Sequence, residues 1–274
     1  MFVISAVFRF YLNASIHVAL AVVSLYLVTT IDLNIVVNPH LIGFLFCATV
    51  VCYNFVKYGV EAEKYLIVAK PYHKPIQVFS FLIFGASLYF IQYLKFILWI
   101  FILLFTFLSA LYAIPFLPNS KNLRSLAGLK IFLIALIWAG FTVVLPLVDN
   151  QMEWNMTSWT YIVQRFLLVL VLILPFEIRD LQYDTPDLKT LPQRFGIMRT
   201  KYIGYCMILV YFLMTLLRDG LVLSMVLQEF FLCILLVVVL YSTEKQQQRY
   251  FSSFWVEGIP IFWVTSLILL KTVF

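Results

Sequence analysis

The sequence is short of charge: Asp, Glu, Lys and Arg make up 12% of its 274 residues, where a soluble domain needs about a quarter to coat a water-facing surface. That deficit excludes a cytosolic enzyme, a nucleic-acid-binding module and a secreted scaffold, so no nucleic-acid partner is expected. Glycine and proline number 9 and 10, too few for a disordered chain. Three scattered histidines and four cysteines (Cys47, Cys52, Cys206 and Cys233) with no CxxC pair offer no zinc or haem site. The cysteines lie in apolar stretches and read as small core side chains. Walker, GxGxxG, HExxH and GxSxG motifs are absent. So is any convincing repeated pair of Gly/Pro-broken spans, the mark of a secondary transporter.

What fills the chain is apolar: 64% hydrophobic residues, 18% aromatic, and a mean hydropathy of +0.99. A membrane helix needs roughly 20 such residues, and nine stretches qualify. They are Tyr11 to Thr30, Pro39 to Val56, Ile76 to Leu94, Phe96 to Leu117, Ala127 to Val148, Trp159 to Phe176, Tyr202 to Leu217, Gly220 to Tyr241 and Ser252 to Leu270. Runs of this length satisfy their backbone hydrogen bonds as helices rather than barrel strands. The expectation is an all-α integral membrane protein, residues 1–274 forming one polytopic domain in the bilayer. No cleavable signal is expected, because only Arg9 precedes the first run.

The net charge is +6, and where the basic residues fall matters more than their sum. With nine spans, 15 of the 19 Lys and Arg lie on one face, three on the other, and Arg165 lies within the sixth span. Basic residues in short loops stay cytoplasmic, which sets the N-terminus inside and the C-terminus outside. Two connections on the basic face, Lys57 to Pro75 and Arg179 to Lys201, are the longest and most charged. An active site is expected to open there.

The sixth span ends in Glu177-Ile178-Arg179-Asp180-Leu181-Gln182-Tyr183-Asp184. At about 100° per residue, Glu177, Asp180 and Asp184 fall within roughly 60° of one another on a helix. Pro186 pushes Thr185 out of the helical region, so the helix is expected to end at Asp184. Three carboxylates at a negative helix terminus attract a cation. Hard oxygen ligands without His or Cys suit Mg²⁺. The competing reading is a solvated helix end in which the acids pair with Arg179 and Lys189.

The next residues, Lys189-Thr190-Leu191-Pro192-Gln193-Arg194-Phe195-Gly196, complete a pattern that resembles the second aspartate-rich motif of the UbiA-type intramembrane prenyltransferases. Tyr112-Ala113-Ile114-Pro115, with Lys121 and Arg124 behind it, is a weaker likeness to that family. The resemblance implies a UbiA-like bundle of nine helices, its two acidic motifs at the cytoplasmic ends of the second and sixth, around a cavity open to the cytoplasm. It also implies Mg²⁺ bridging carboxylates to the diphosphate of an allylic prenyl donor, with a hydrophobic acceptor capturing the prenyl group, in a membrane such as the bacterial inner membrane. Asp180 and Asp184 would be the catalytic pair, supported by Glu177. Lys130, Arg179, Lys189, Lys121 and Arg124 are the candidate diphosphate clamp, though Lys130, a turn inside the fifth span, also has the length to snorkel.

The chain departs from the family at the first motif. Aligning Asn54 leaves Phe55, Tyr58 and Ala62 where acids are expected. Asn54, Lys57, Tyr58 and Glu61 share one helical face, so Asn54 and Glu61 are candidate ligands of a reduced first metal site and Tyr58 a candidate substrate contact. An interfacial Tyr with solvated Lys and Glu is the plainer alternative. Within the spans, Arg165 and Glu229 are in reach of a structural pair, Glu257 lies near the cytoplasmic side, and His17 reads as a satisfied core residue. Two functions stay open: a Mg-dependent prenyltransferase, and a non-catalytic protein of the same fold that binds an isoprenoid or quinone or assists a partner.

Overall fold

A computed structural model describes residues 2–58, 73–113, 128–184 and 188–273. Regular structure among them is helical: α1 (Phe2–Asn13), α2 (Ile16–Asp32), α3 (Pro39–Tyr58), α4 (Lys74–Ile91), α5 (Phe96–Ala113), α6 (Leu129–Ala139), α7 (Leu145–Asp149), α8 (Met156–Asp180), α9 (Leu191–Thr215), α10 (Leu223–Ser242) and α11 (Ile259–Val273), with π-helical turns at Gly140–Val144 and Phe251–Val256. Each of the nine apolar stretches lies largely on helix among the described residues. Among the described residues, seven helical segments are long and apolar enough to cross a membrane, the α1–α2 pair adds an eighth if its 57° bend lies within one span, and Phe96–Leu111 is a shorter apolar helix. The protein is an all-α membrane protein. Helix starts follow the sequence: Asn38 accepts from the N–H groups of His40 and Leu41 ahead of Pro39-led α3, and Asn155 accepts from Ser158 N–H to start α8.

The chain divides into two compact units. The first comprises Met1–Trp99 and Glu257–Phe274, with α2 packed on α3 and α11, and α3 on α4. The first span, expected to run unbroken from Tyr11, is interrupted at Ala14 and Ser15, where Ser15 takes a left-handed backbone (φ 59°). Such a break inside apolar surroundings needs its polar groups satisfied by neighbouring protein. The end of α3 does this: the Ser15 hydroxyl donates to Asn54 Oδ1 (2.8 Å) and accepts from Lys57 Nζ (3.0 Å), and Asn54 Nδ2 donates to the Ala14 carbonyl (3.2 Å). His17 is buried and bonded to the Tyr11 hydroxyl at 2.6 Å.

The second unit, Ile100–Val256, is organised on α8, which packs against α6, α9, α10 and the turn at Phe251–Val256 and is 67% buried over its most apolar window. The Phe105 ring lies against Gly140, where any Cβ would collide with it. A buried polar network joins α8 and α10 to the chain just beyond α9. Arg218 Nη1 is 2.8 Å from Glu229 Oε1, Tyr211 donates to Glu229 Oε2 (2.6 Å), and Arg218 donates twice to Gln164 Oε1 (2.8 and 2.6 Å). Glu229 thus takes Arg218, which the sequence reading left in a connecting loop, while Arg165 donates to Thr142 (3.2 Å). At its other end α8 stops at Asp180, one turn before the expected Asp184, because the N–H groups of Tyr183 and Asp184 both close on the Asp180 carbonyl (2.8 Å each).

Candidate functional site

Lys130 stands in the first turn of α6 and Glu177 in the last turn of α8. Each carries the charge that its helix end disfavours, and pairing relieves both: Nζ is 2.7 Å from Oε1, with Glu177 2% and Lys130 17% exposed. The pair borders a pocket holding about 390 Å³ of empty space, part of it open to solvent; Asp184 and Thr190 complete its polar wall, and Gly128, Ile131, Leu188 and Leu191 line the rest.

The segment after Asp184 explains the spacing of the motif. Lys189 is exposed and left-handed (φ 44°), which turns the chain into Thr190, the N-cap of α9. Gln193 closes a capping box by accepting from the Thr190 N–H (3.0 Å), and Pro192 lies in the first turn. Gly196 then breaks α9 at φ 77°, ψ 165°, a conformation open essentially to glycine alone. Thr190 is therefore fixed at the pocket wall, 4% exposed. Its side-chain oxygen faces the Gln193 N–H in the same capping box, whereas Asp184 Oδ2 is buried without a hydrogen-bond partner. A buried oxygen without a partner beside a pocket is what a ligand or cation would complete.

The site residues expected from sequence separate into three groups. Lys130, Glu177 and Asp184 come together at the pocket. Asp180 turns to Arg179 (Nε to Oδ1, 2.8 Å), whose guanidinium also lies 5.2 Å from the Phe176 ring centre. Glu177, Asp180 and Asp184 do not form a three-carboxylate cage: among the described residues no group of three or more His, Cys, Asp or Glu is placed to hold a metal ion. What remains at the pocket is one available carboxylate, Asp184, with the side chain of Thr190 as a neutral neighbour.

Asn54 and Tyr58 belong to the first unit, and both are engaged there. Asn54 is 4% exposed, and its amide bonds Ser15, Ala14 and Ser80, the last at 2.9 Å. Tyr58 donates to the Asn13 carbonyl (3.0 Å) and packs on His73, ring centres 4.6 Å apart. Glu61, Lys121 and Arg124 lie outside the described residues. The sequence reading missed Thr190 and Ser15 as polar anchors. The capping-box spacing from Thr190 to Gln193 could have shown the first, whereas nothing local marks Ser15.

Compared with protein-family models, with curated proteins and with solved structures, the chain matches none.

Proposed function

We propose that the protein is a UbiA-type intramembrane prenyltransferase, in which the pocket at the end of α8 receives the diphosphate of an allylic prenyl donor. The chain in this reading crosses the membrane nine times, N-terminus cytoplasmic and C-terminus outside, as in a bacterial inner membrane, with the pocket opening to the cytoplasmic side. The observation that carries the proposal is an unsatisfied oxygen, Asp184 Oδ2, that shares one pocket with the Thr190 side chain and with an ammonium, that of Lys130. Asp184 anchors the cation and Lys130 offers N–H donors to phosphate oxygens. Bound Mg²⁺ supplies charge neutralisation for the departing diphosphate. The donor's C–O bond breaks with its electron pair leaving on the diphosphate. A nucleophilic atom of the hydrophobic acceptor forms the new bond to carbon and gives up its proton.

The test is Mg²⁺-dependent binding of a non-hydrolysable prenyl thiodiphosphate to the purified protein in detergent, with Asp184→Ala as control. Binding that requires both Mg²⁺ and Asp184 supports the enzyme. A second reading, a non-catalytic protein that binds an isoprenoid or quinone or assists a partner, is favoured by Asn54, whose amide is already engaged where the first acidic motif would be. Folded protein that binds no thiodiphosphate at any Mg²⁺ concentration would select it.

A further inference from the structure

We infer that residues 243–250, the segment between α10 and the π-helical turn at Phe251–Val256, clamp the end of α8 so that Asp184 stays at the pocket wall, with Gln182 and Gln247 as positioning residues; the inference rests on the diphosphate reading above. The end of α8 is loosely built. Pro175, inside the helix, brings no N–H to the Val171 carbonyl, which removes one rung of the ladder just ahead of Glu177. Beyond Asp180 the N–H groups of Tyr183 and Asp184 close on one carbonyl (2.8 Å each). That turn carries Asp184, which lines the pocket and whose Oδ2 is buried without a hydrogen-bond partner. Such an oxygen gains by reaching water, so the turn is biased to swing outward and hydrate it.

Two side-chain bonds oppose that swing. From the middle of the turn, Gln182 Nε2 donates to the Lys245 carbonyl (2.9 Å). Two residues further along the segment, Gln247 Nε2 donates to the Pro175 carbonyl (2.7 Å). The segment therefore grips α8 on both sides of Glu177 and Asp180, and the two bonds close one ring through both stretches of chain. Gln247 is itself anchored: the Ser252 hydroxyl donates to its Oε1, and Ser252 is buried in the π-helical turn that packs on α8. The clamp holds Asp184 where a cation would complete its oxygen, so the cost of ordering the turn is met before a ligand arrives.

The test separates positioning from mere support. Gln182→Met keeps the length of the side chain and loses the donor. The bond it removes is exposed, and release of Asp184 to water offsets the loss, so the melting temperature in detergent stays at or above that of the wild type. Mn²⁺ affinity, read by electron paramagnetic resonance, and Mg²⁺-dependent thiodiphosphate affinity both fall about tenfold, the usual size when a residue that orients a metal ligand is removed. Gln247→Met lowers them by a similar factor. Because either change opens the same ring, the double variant falls below the single ones by no more than about twofold. Wild-type affinities in Gln182→Met, whatever its melting temperature, would overturn the inference, as would losses that multiply in the double variant. Inorganic diphosphate is titrated in parallel. If Gln182→Met weakens its binding while the prenyl analogue does not bind the wild type, the clamp stands and the prenyltransferase reading falls. Wild-type protein that binds neither Mn²⁺ nor either diphosphate compound rejects both.

Discussion

The ends of α3 and α8 carry similar chemistry and use it differently. Each brings an amide or carboxylate, a lysine and a hydroxyl to a place where the backbone turns left-handed, at Ser15 (φ 59°) in one unit and at Lys189 (φ 44°) in the other. At the α3 end the amide of Asn54 and the hydroxyl of Ser15 are both engaged with protein partners, and Lys57 and Tyr58 add a bond each. At the α8 end Lys130 and Glu177 are paired and Thr190 is tied into its capping box, but Asp184 Oδ2 has no partner. A polar cluster satisfied by its own members is a device for holding a broken helix together. One that leaves buried oxygens unsatisfied has room for something else.

The largest effect is expected where that distinction is crossed. Lys130→Met alone leaves Glu177, only 2% exposed, as an uncompensated buried charge and should cost about 3 kcal/mol. Adding Glu177→Gln should recover most of the loss, read as the melting temperature in detergent. A double variant as unstable as the single one would mean that Lys130 contributes packing rather than charge.

Next comes a mirror pair. Asn54→Leu removes one acceptor and two donor bonds at a side chain only 4% exposed and should cost about 2 kcal/mol, while leaving Mn²⁺ binding unchanged. Asp184→Ala should cost no more than about 0.5 kcal/mol, since its Oδ2 makes no bond to lose, yet it should abolish Mg²⁺-dependent thiodiphosphate binding. Measuring stability and ligand binding on both variants tests the comparison directly. If Asp184→Ala proved the less stable of the two, the α8 end would be structural as well.

Gly196→Ala is expected to fall a little lower, at about 1–2 kcal/mol. An added Cβ there meets nothing within 4 Å, so the cost comes from the backbone conformation alone. Because the strain is local to the turn that carries Thr190, thiodiphosphate binding should weaken along with stability. An unfolding midpoint identical to the wild type would show that α9 runs through Gly196 without the break.

The helical class was legible because apolar run length is a strong signal, and among the described residues every stretch identified in that way lies largely on helix. Helix ends were less legible. The break at Ser15 depends on Asn54 and Lys57, some 40 residues away in sequence, and the early stop of α8 depends on which carbonyl two N–H groups choose. At the site, periodicity put Glu177, Asp180 and Asp184 on one helical face, but side-chain partners decide which acids are available. Arg179 takes Asp180, Lys130 takes Glu177, and Asp184 lies beyond the last helical residue. Arg218 was hidden for a related reason: beside Asp219 and Gly220 it reads as a loop cation, and only the folded chain brings Glu229 and Gln164 to it.

A last variant tests the α3 end by a single atom. Tyr58→Phe keeps the ring against His73 and removes only the hydroxyl that donates to the Asn13 carbonyl. That carbonyl belongs to the last residue of α1, where the break leaves acceptors without intrahelical donors. Losing the bond should cost about 1 kcal/mol, the size of one ordinary hydrogen bond, with no change in thiodiphosphate affinity if Tyr58 only holds the broken helix. A loss of thiodiphosphate affinity at unchanged stability would give Tyr58 the substrate contact expected of it from sequence, and would make the α3 end part of the binding site after all.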